Sequence, residues 1–266
     1  MALPPSPATA PRLAATPQRN LGRIPTRYPI PTLNIPQVEA TSVPVPCRSW
    51  LNEPRCDRPP GRQRLSREFI ARHQRARIIA ALAEETTERG YRAVTVADIV
   101  RRAGIARNTF YDNFSSKEDC FLATQDFAVE ESLTRVVQAA AEIEDWEARL
   151  AAGLGAFLNY VSSEPALART CVVEALSAGP AAQERYEGSL QAFVPLLRRG
   201  REASPHGEDL PETLEETIVG GIFWIIYQRI VLGEAERIEA LLPDLVDFAL
   251  TPYIGAESAQ RASARL

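Results

Sequence analysis

Between Thr95 and Lys117 the chain reads "TVADIVRRAGIARNTFYDNFSSK", a stretch with few ways to fold. Thr95 is a natural helix N-cap, and Asp98 three residues later echoes a capping box. Gly104 stops that helix at Ala103, after about two turns. A second short helix is predicted over roughly 106–114, and a third begins near Lys117 behind the capping pair Ser115 and Ser116. Two short helices joined by a tight glycine turn form a helix-turn-helix unit.

The second of these helices has too many polar residues for a core and too much aromatic surface for a fully solvated element. Phe110 and Phe114 explain the combination if they pack with Ile99, Ala103 and Ile105, turning the polar side outward. In such units the second helix enters the major groove of DNA. Arg107 is the best candidate reader, because its fork matches two acceptors on guanine. Asn108 suits adenine, and Ala106 or Thr109 suits a thymine methyl. Thr95, Tyr111 and Lys117 suit phosphate oxygens, and Lys117 stands at a helix N-terminus, which attracts anions. Asn113 completes the candidate set. Simpler roles are also open: Thr95 as a cap alone, Asp112 paired with an arginine, and Arg101 and Arg102 solvated.

The run "TVADIVRRAGIARNTFYDNFSSKED", residues 95–119, resembles the tetracycline-repressor (TetR) family of transcriptional regulators. The likeness is carried by Thr95, Asp98, Ala103-Gly104-Ile105, Thr109-Phe110-Tyr111, Phe114 and Lys117-Glu118-Asp119. Asn113 departs from the family's usual His or Tyr, Asn108 from a small residue, and Cys120 from Leu. The resemblance extends more loosely over residues 67–255. It implies phosphate contacts by Thr95, Tyr111 and Lys117, a dimer formed through the last two helices, and an inducer site in the helices between.

Charge is unevenly spread along the chain. Residues 1–66 carry 9 Lys and Arg against 3 Asp and Glu, whereas residues 128–266 carry 11 against 22. A basic beginning and an acidic remainder suggest one part that meets a polyanion and another with a different task. Residues 1–62 hold 14 of the 21 prolines, which deny the backbone its regular hydrogen bonds, so a disordered Pro/Arg-rich extension is predicted there. The cysteines Cys47, Cys56, Cys120 and Cys171 form no C-x-x-C pair and read as reduced thiols in a cytoplasmic protein, with no metal site and no cofactor. The most apolar run, "IVGGIFWIIYQRIVL", is shorter than the ~20 residues that span a bilayer and contains Gln228 and Arg229. No phosphate loop or nucleophile elbow marks an enzyme.

The predicted fold is all-α: a helix-turn-helix domain over 63–127, a regulatory and dimerisation domain over 128–255, and a flexible tail over 256–266. Helices are expected near 144–163, 165–177, 180–203, 212–232 and 235–254. Phe157, Tyr160, Cys171, Glu174, Tyr186 and Phe193 are candidates for a site taking a small, mostly apolar molecule. The helix around Gly221 is apolar on nearly every side, so a second subunit is expected to cover what its own core does not. Ile218, Gly221, Ile222, Ile225, Arg229, Leu245 and Phe248 are the candidate dimer contacts. Two-fold symmetry then implies a pseudo-palindromic operator on double-stranded DNA. The alternative is a helical binding module regulated by a protein partner and lacking specific DNA readout.

Overall fold

Apolar positions recurring every three to four residues produce helices throughout residues 67–266, the part that the computed structural model describes, with side chains from Ala71 onward. No strand occurs among the described residues. The extension expected over 1–62, with Cys47 and Cys56, lies outside them.

Helix α1 (Arg67–Arg89) buries Ile78, Ile79 and Leu82. A 3-10 turn (Tyr91–Ala93) leads to α2 (Val96–Ala103), α3 (Arg107–Asn113) and the long α4 (Lys117–Ala140). The capping box forms as its sequence suggested: the Thr95 side chain accepts from the Asp98 amide at 3.3 Å, and Asp98 Oδ2 accepts from the Thr95 amide at 3.0 Å. Gly104 ends α2 at φ 61°, ψ 41°, a left-handed conformation that costs other residues about 1–2 kcal/mol. Arg77 donates to the Ala103 carbonyl there, satisfying an acceptor the helix end leaves open.

The remaining elements are α5 (Trp146–Ser163), α6 (Pro165–Val172) with a 3-10 turn (Glu174–Ser177), α7 (Pro180–Leu197), α8 (Arg199–Ala203), α9 (Leu214–Val231), a 3-10 segment (Ala235–Leu241), α10 (Leu242–Ile254) and α11 (Ala256–Ser263). Three expected helices are therefore interrupted. The 165–177 segment breaks at Val173. The 180–203 segment divides after Leu197, close behind Pro195, which lacks an amide proton for the helix ladder. The 235–254 segment begins as 3-10 helix. Residues 256–263, expected as a flexible tail, are helical and bury Ala259 completely against the α5–α10 corner, so the last helix is held by packing.

The boundary expected at residue 127 falls inside α4, which runs on without a break. The core of the first helices, with Ile78, Ile99, Phe110 and Phe121, also takes in Leu167, Ala175 and Ala182 from later in the chain. So small a helical unit buries too little apolar surface by itself, and here α6 and α7 complete it. A second core gathers Leu158, Ile218, Ile226, Ile238 and Tyr253 from α5, α9, the 3-10 segment and α10. Glu215 is buried beside it, accepting from Arg201 Nε at 2.7 Å and from the Tyr253 hydroxyl at 3.1 Å. Helix α8 approaches α5 so closely that a Cβ on Gly200 would lie 2.5 Å from the Trp146 ring. Among the described residues, no helix is long and apolar enough to cross a membrane.

Candidate functional site

The face of α3 is built by the two phenylalanines beneath it. Phe110 is fully buried and Phe114 nearly so, their ring centroids 5.8 Å apart, with the Arg75 guanidinium 4.4 Å over the Phe114 ring. This anchoring leaves Ala106, Arg107, Asn108, Tyr111 and Asp112 exposed. Tyr111, at 46% exposure, is a large aromatic residue standing in solvent. Arg107 Nη2 lies 3.4 Å from its hydroxyl and the guanidinium carbon 5.7 Å from its ring, so the two side chains run together along the outer surface.

The other candidates are more engaged. Thr109 and Asn113 are half-buried at the edge, where Asn113 Nδ2 donates to the Thr109 carbonyl at 2.8 Å. Thr95 spends its hydroxyl proton on Asp98 Oδ2 at 2.6 Å, which makes it first of all a cap. Lys117 Nζ donates to the carbonyls of Tyr91 at 2.9 Å and Val94 at 2.8 Å, and sits 4.2 Å over the Tyr91 ring. Burial lowers its pKa. An ammonium has three donors, so one remains for an outside acceptor. The geometry thus gathers Ala106, Arg107, Asn108 and Tyr111 on one open face and makes Lys117 a brace behind it.

Arg102 does not stand in solvent. It reaches Glu85 at 2.8 Å, Glu88 at 2.6 Å and Glu84 at 3.2 Å, tying α2 to α1. Arg89 adds a bridge to Asp98 at 2.9 Å. Sequence spacing gave no sign of this, because the glutamates and the arginine meet only when the two helices cross. The hydrogen bond from Arg102 holds the Glu85 carboxyl below its ordinary pKa against the opposing effect of burial. Asp98 is held well below the usual carboxylate range by the Thr95 hydroxyl and amide. Carboxylates depressed in the folded state stabilise it above their unfolded pKa of about 4, and that contribution is lost as pH falls through the folded values. The thermal midpoint is therefore expected to drop below about pH 4. Glu85→Gln should flatten that drop, and equal slopes for the two proteins would refute the linkage.

A cavity of 340 Å³ lies between α4, α5, α7, α9 and α10. Of the residues expected to line a ligand site, Phe157 and Phe193 do so, and Tyr160, Cys171, Glu174 and Tyr186 do not. The Tyr160 ring lies under Arg135, 4.8 Å away. Cys171 Sγ is 3.9 Å from the Thr124 carbonyl, and burial pushes its thiol up to about 12. Glu174 Oε2 accepts the Tyr91 amide at 3.0 Å, joining the turn after α6 to the turn after α1. Tyr186 meets the Phe223 ring edge-on at 6.5 Å, outside the cavity. Trp146, Arg149 and Arg199, absent from the expected set, are part of the lining. Periodicity separates inner from outer faces but does not say which inner residues leave space.

The expected dimer contacts divide. Ile218 and Ile222 on α9 and Leu245 on α10 are instead buried in the chain's own core, in one cluster with Leu158 and Tyr253. Ile225 at 37% and Phe248 at 44% are exposed, Gly221 lies against the Phe248 ring, and Arg229 pairs with Glu234 at 2.7 Å. Trp224 at 58% and Leu232 at 65% are exposed as well, and Trp224 is not among the expected contacts. A helix apolar on all sides offers no polar stripe to tell its two sides apart.

Helices, turn and outward face together define a helix-turn-helix protein of the all-α class. Residues 78–124 match the family model described as bacterial regulatory proteins, tetR family. That match runs from α1 through the helix-turn-helix to the start of α4. The HTH-type transcriptional activator FasR of Mycolicibacterium smegmatis is 30% identical over 107 residues, 40% of this chain and 49% of that protein. The HTH-type transcriptional regulator EthR of the same organism is 30% identical over 120 residues, 45% of this chain and 55% of that protein. The chain thus spans about half the length of the curated relatives it matches. Among solved structures, the fatty acid degradation regulator FadR from Bacillus halodurans superposes with a TM-score of 0.60 at 21% identity, over 66% of this chain and 94% of its own, a likeness of fold.

Proposed function

We propose that the chain is a homodimeric, ligand-responsive transcriptional repressor that reads a pseudo-palindromic operator and works beside the chromosome in the cytoplasm. The observation that carries this reading is the open face of α3, where Arg107, Asn108 and Tyr111 stand outward over buried Phe110 and Phe114. Arg107 reads guanine, Asn108 adenine, and Ala106 and Thr109 a thymine methyl; Tyr111 and the remaining donor of Lys117 hold phosphates. Asn113 flanks them from the edge. A second copy covers the apolar face of α9 and α10, placing two α3 helices about 34–36 Å apart or a multiple of that distance.

The division of labour follows the chain: residues 63–127 meet DNA, and residues 128–255 sense and pair. Helix α4 links the two tasks. Its first residue, Lys117, grips the carbonyls before α2, and its last turn, at Ala140, borders the cavity. A small, mostly apolar molecule in the cavity shifts α4, and with it the α2–α3 pair, out of register with the second half-site.

Gel shifts with the gene's upstream DNA at stated salt test this reading. Arg107→Ala is expected to cost about 1–3 kcal/mol and to relax preference at one base position. Lys117→Ala is expected to weaken all sequences alike and also to lower the thermal midpoint, because two carbonyls lose their donor. Binding with no sequence preference would favour a helical module regulated by a protein partner. FasR is named an activator, so a reporter reads the sign: expression rising on deletion supports repression, and expression falling overturns it.

A further inference from the structure

The 340 Å³ cavity has a polarity of its own. Its lining contains no Asp, Glu, Ser, Thr, Asn or Gln, and its two charged side chains, Arg149 and Arg199, are both cationic. They stand at one end. Trp146 packs on Gly200 there, Arg149 follows Trp146 by one turn of α5, and Arg199 directly precedes Gly200. At the other end the rings of Phe157, Phe193 and Phe223 gather, with centroids 5.0, 5.5 and 5.6 Å apart. From Trp146 to Phe157 the trench follows α5 for about 16 Å at 1.5 Å per residue. Ala141 and Arg199 are exposed, which puts the mouth at the arginine end.

Several arginines of the fold are held by carboxylates: Arg102 by three glutamates, Arg201 by Glu215 and Arg229 by Glu234. The cavity arginines are not. Arg149 uses Nε on the Ile143 carbonyl at 2.8 Å, keeping both terminal nitrogens, and Arg199 meets no carboxylate among the described residues. An arginine fork beside an apolar trench favours a carboxylate or phosphate, which it binds with charge-assisted hydrogen bonds.

We infer that the cavity takes a single-chain amphiphile lengthwise, its unbranched apolar chain on the phenylalanine floor and its anionic end between Arg149 and Arg199. This rests on the cavity being the effector site for its regulatory consequence. A neutral alcohol fills the same trench without engaging the arginines, and a cationic head is repelled by them.

Isothermal titration of the full chain at pH 8 tests this with decanoate, decanoyl-CoA, 1-decanol and decyltrimethylammonium, each below its micelle-forming concentration. At least one of the two anions is expected to bind about tenfold more tightly than the alcohol, and the ammonium most weakly. Decanoate binding points to a free carboxylate at the mouth, and decanoyl-CoA binding alone to phosphates there. Arg199→Glu should abolish the preference for the anion and leave the decanol titration unchanged; Arg199 is exposed, so the fold is not at stake. Arg149→Gln, which keeps the helix, is expected to weaken the anion in the same direction. Equal affinity for anion and alcohol, no binding of any probe, or indifference to both substitutions overturns the inference. Anion binding that leaves operator affinity unchanged upholds the ligand class and overturns the effector reading instead.

Discussion

Phe110→Ala is expected to lower the unfolding free energy by about 3–5 kcal/mol and to abolish operator binding even in the fraction that stays folded. Phe110 is fully buried, with the Phe114 ring 5.8 Å and the Tyr111 ring 5.4 Å away, and it anchors a helix of only 7 residues. So short a helix has little stability without tertiary packing. Its removal leaves a cavity under α3, and Arg107 and Asn108 lose the fixed spacing that base readout requires. Urea unfolding and gel shifts on the same preparation check both effects. Unchanged stability, or tight operator binding by the folded variant, would show that α3 is held by something other than its phenylalanines.

Trp224→Glu is expected to leave the helical content intact and yield a monomer, with operator affinity reduced about a hundredfold or more, as befits the loss of an aromatic interface anchor worth 2–4 kcal/mol. The side chain is 58% exposed in the single chain and stacks on Tyr227 at 5.6 Å, so a charge there is tolerated until a second copy must cover it. Ile218→Glu, six residues earlier on α9, provides the contrast. Ile218 is 1% exposed, so the same substitution should unfold the chain rather than divide a dimer. Sedimentation and circular dichroism distinguish the two. A Trp224→Glu protein that remains dimeric, with unchanged operator affinity, places the interface elsewhere.

What could be read in advance differed between the two halves of the chain. Thr95, Asp98, Gly104, Phe110 and Phe114 act through local rules: a cap, a stop and a two-turn amphipathic helix. Each is decided within a few residues, and the structure bears them out. The occupancy of Lys117 was not legible, because its partners at Tyr91 and Val94 lie 26 and 23 residues away. The same holds for Arg102, whose glutamates stand on another helix.

By itself the sequence determined that the described chain is helical, where the helix-turn-helix falls and which of its residues face out, since helical periodicity and capping depend on neighbours in the chain. Only the tertiary structure decided which side of α9 is core, that Glu174 and Tyr160 stand away from the cavity, and that Arg149 and Arg199 are part of its lining. Those outcomes depend on how helices cross and where side chains fail to fill the space between them, and no short-range pattern records either.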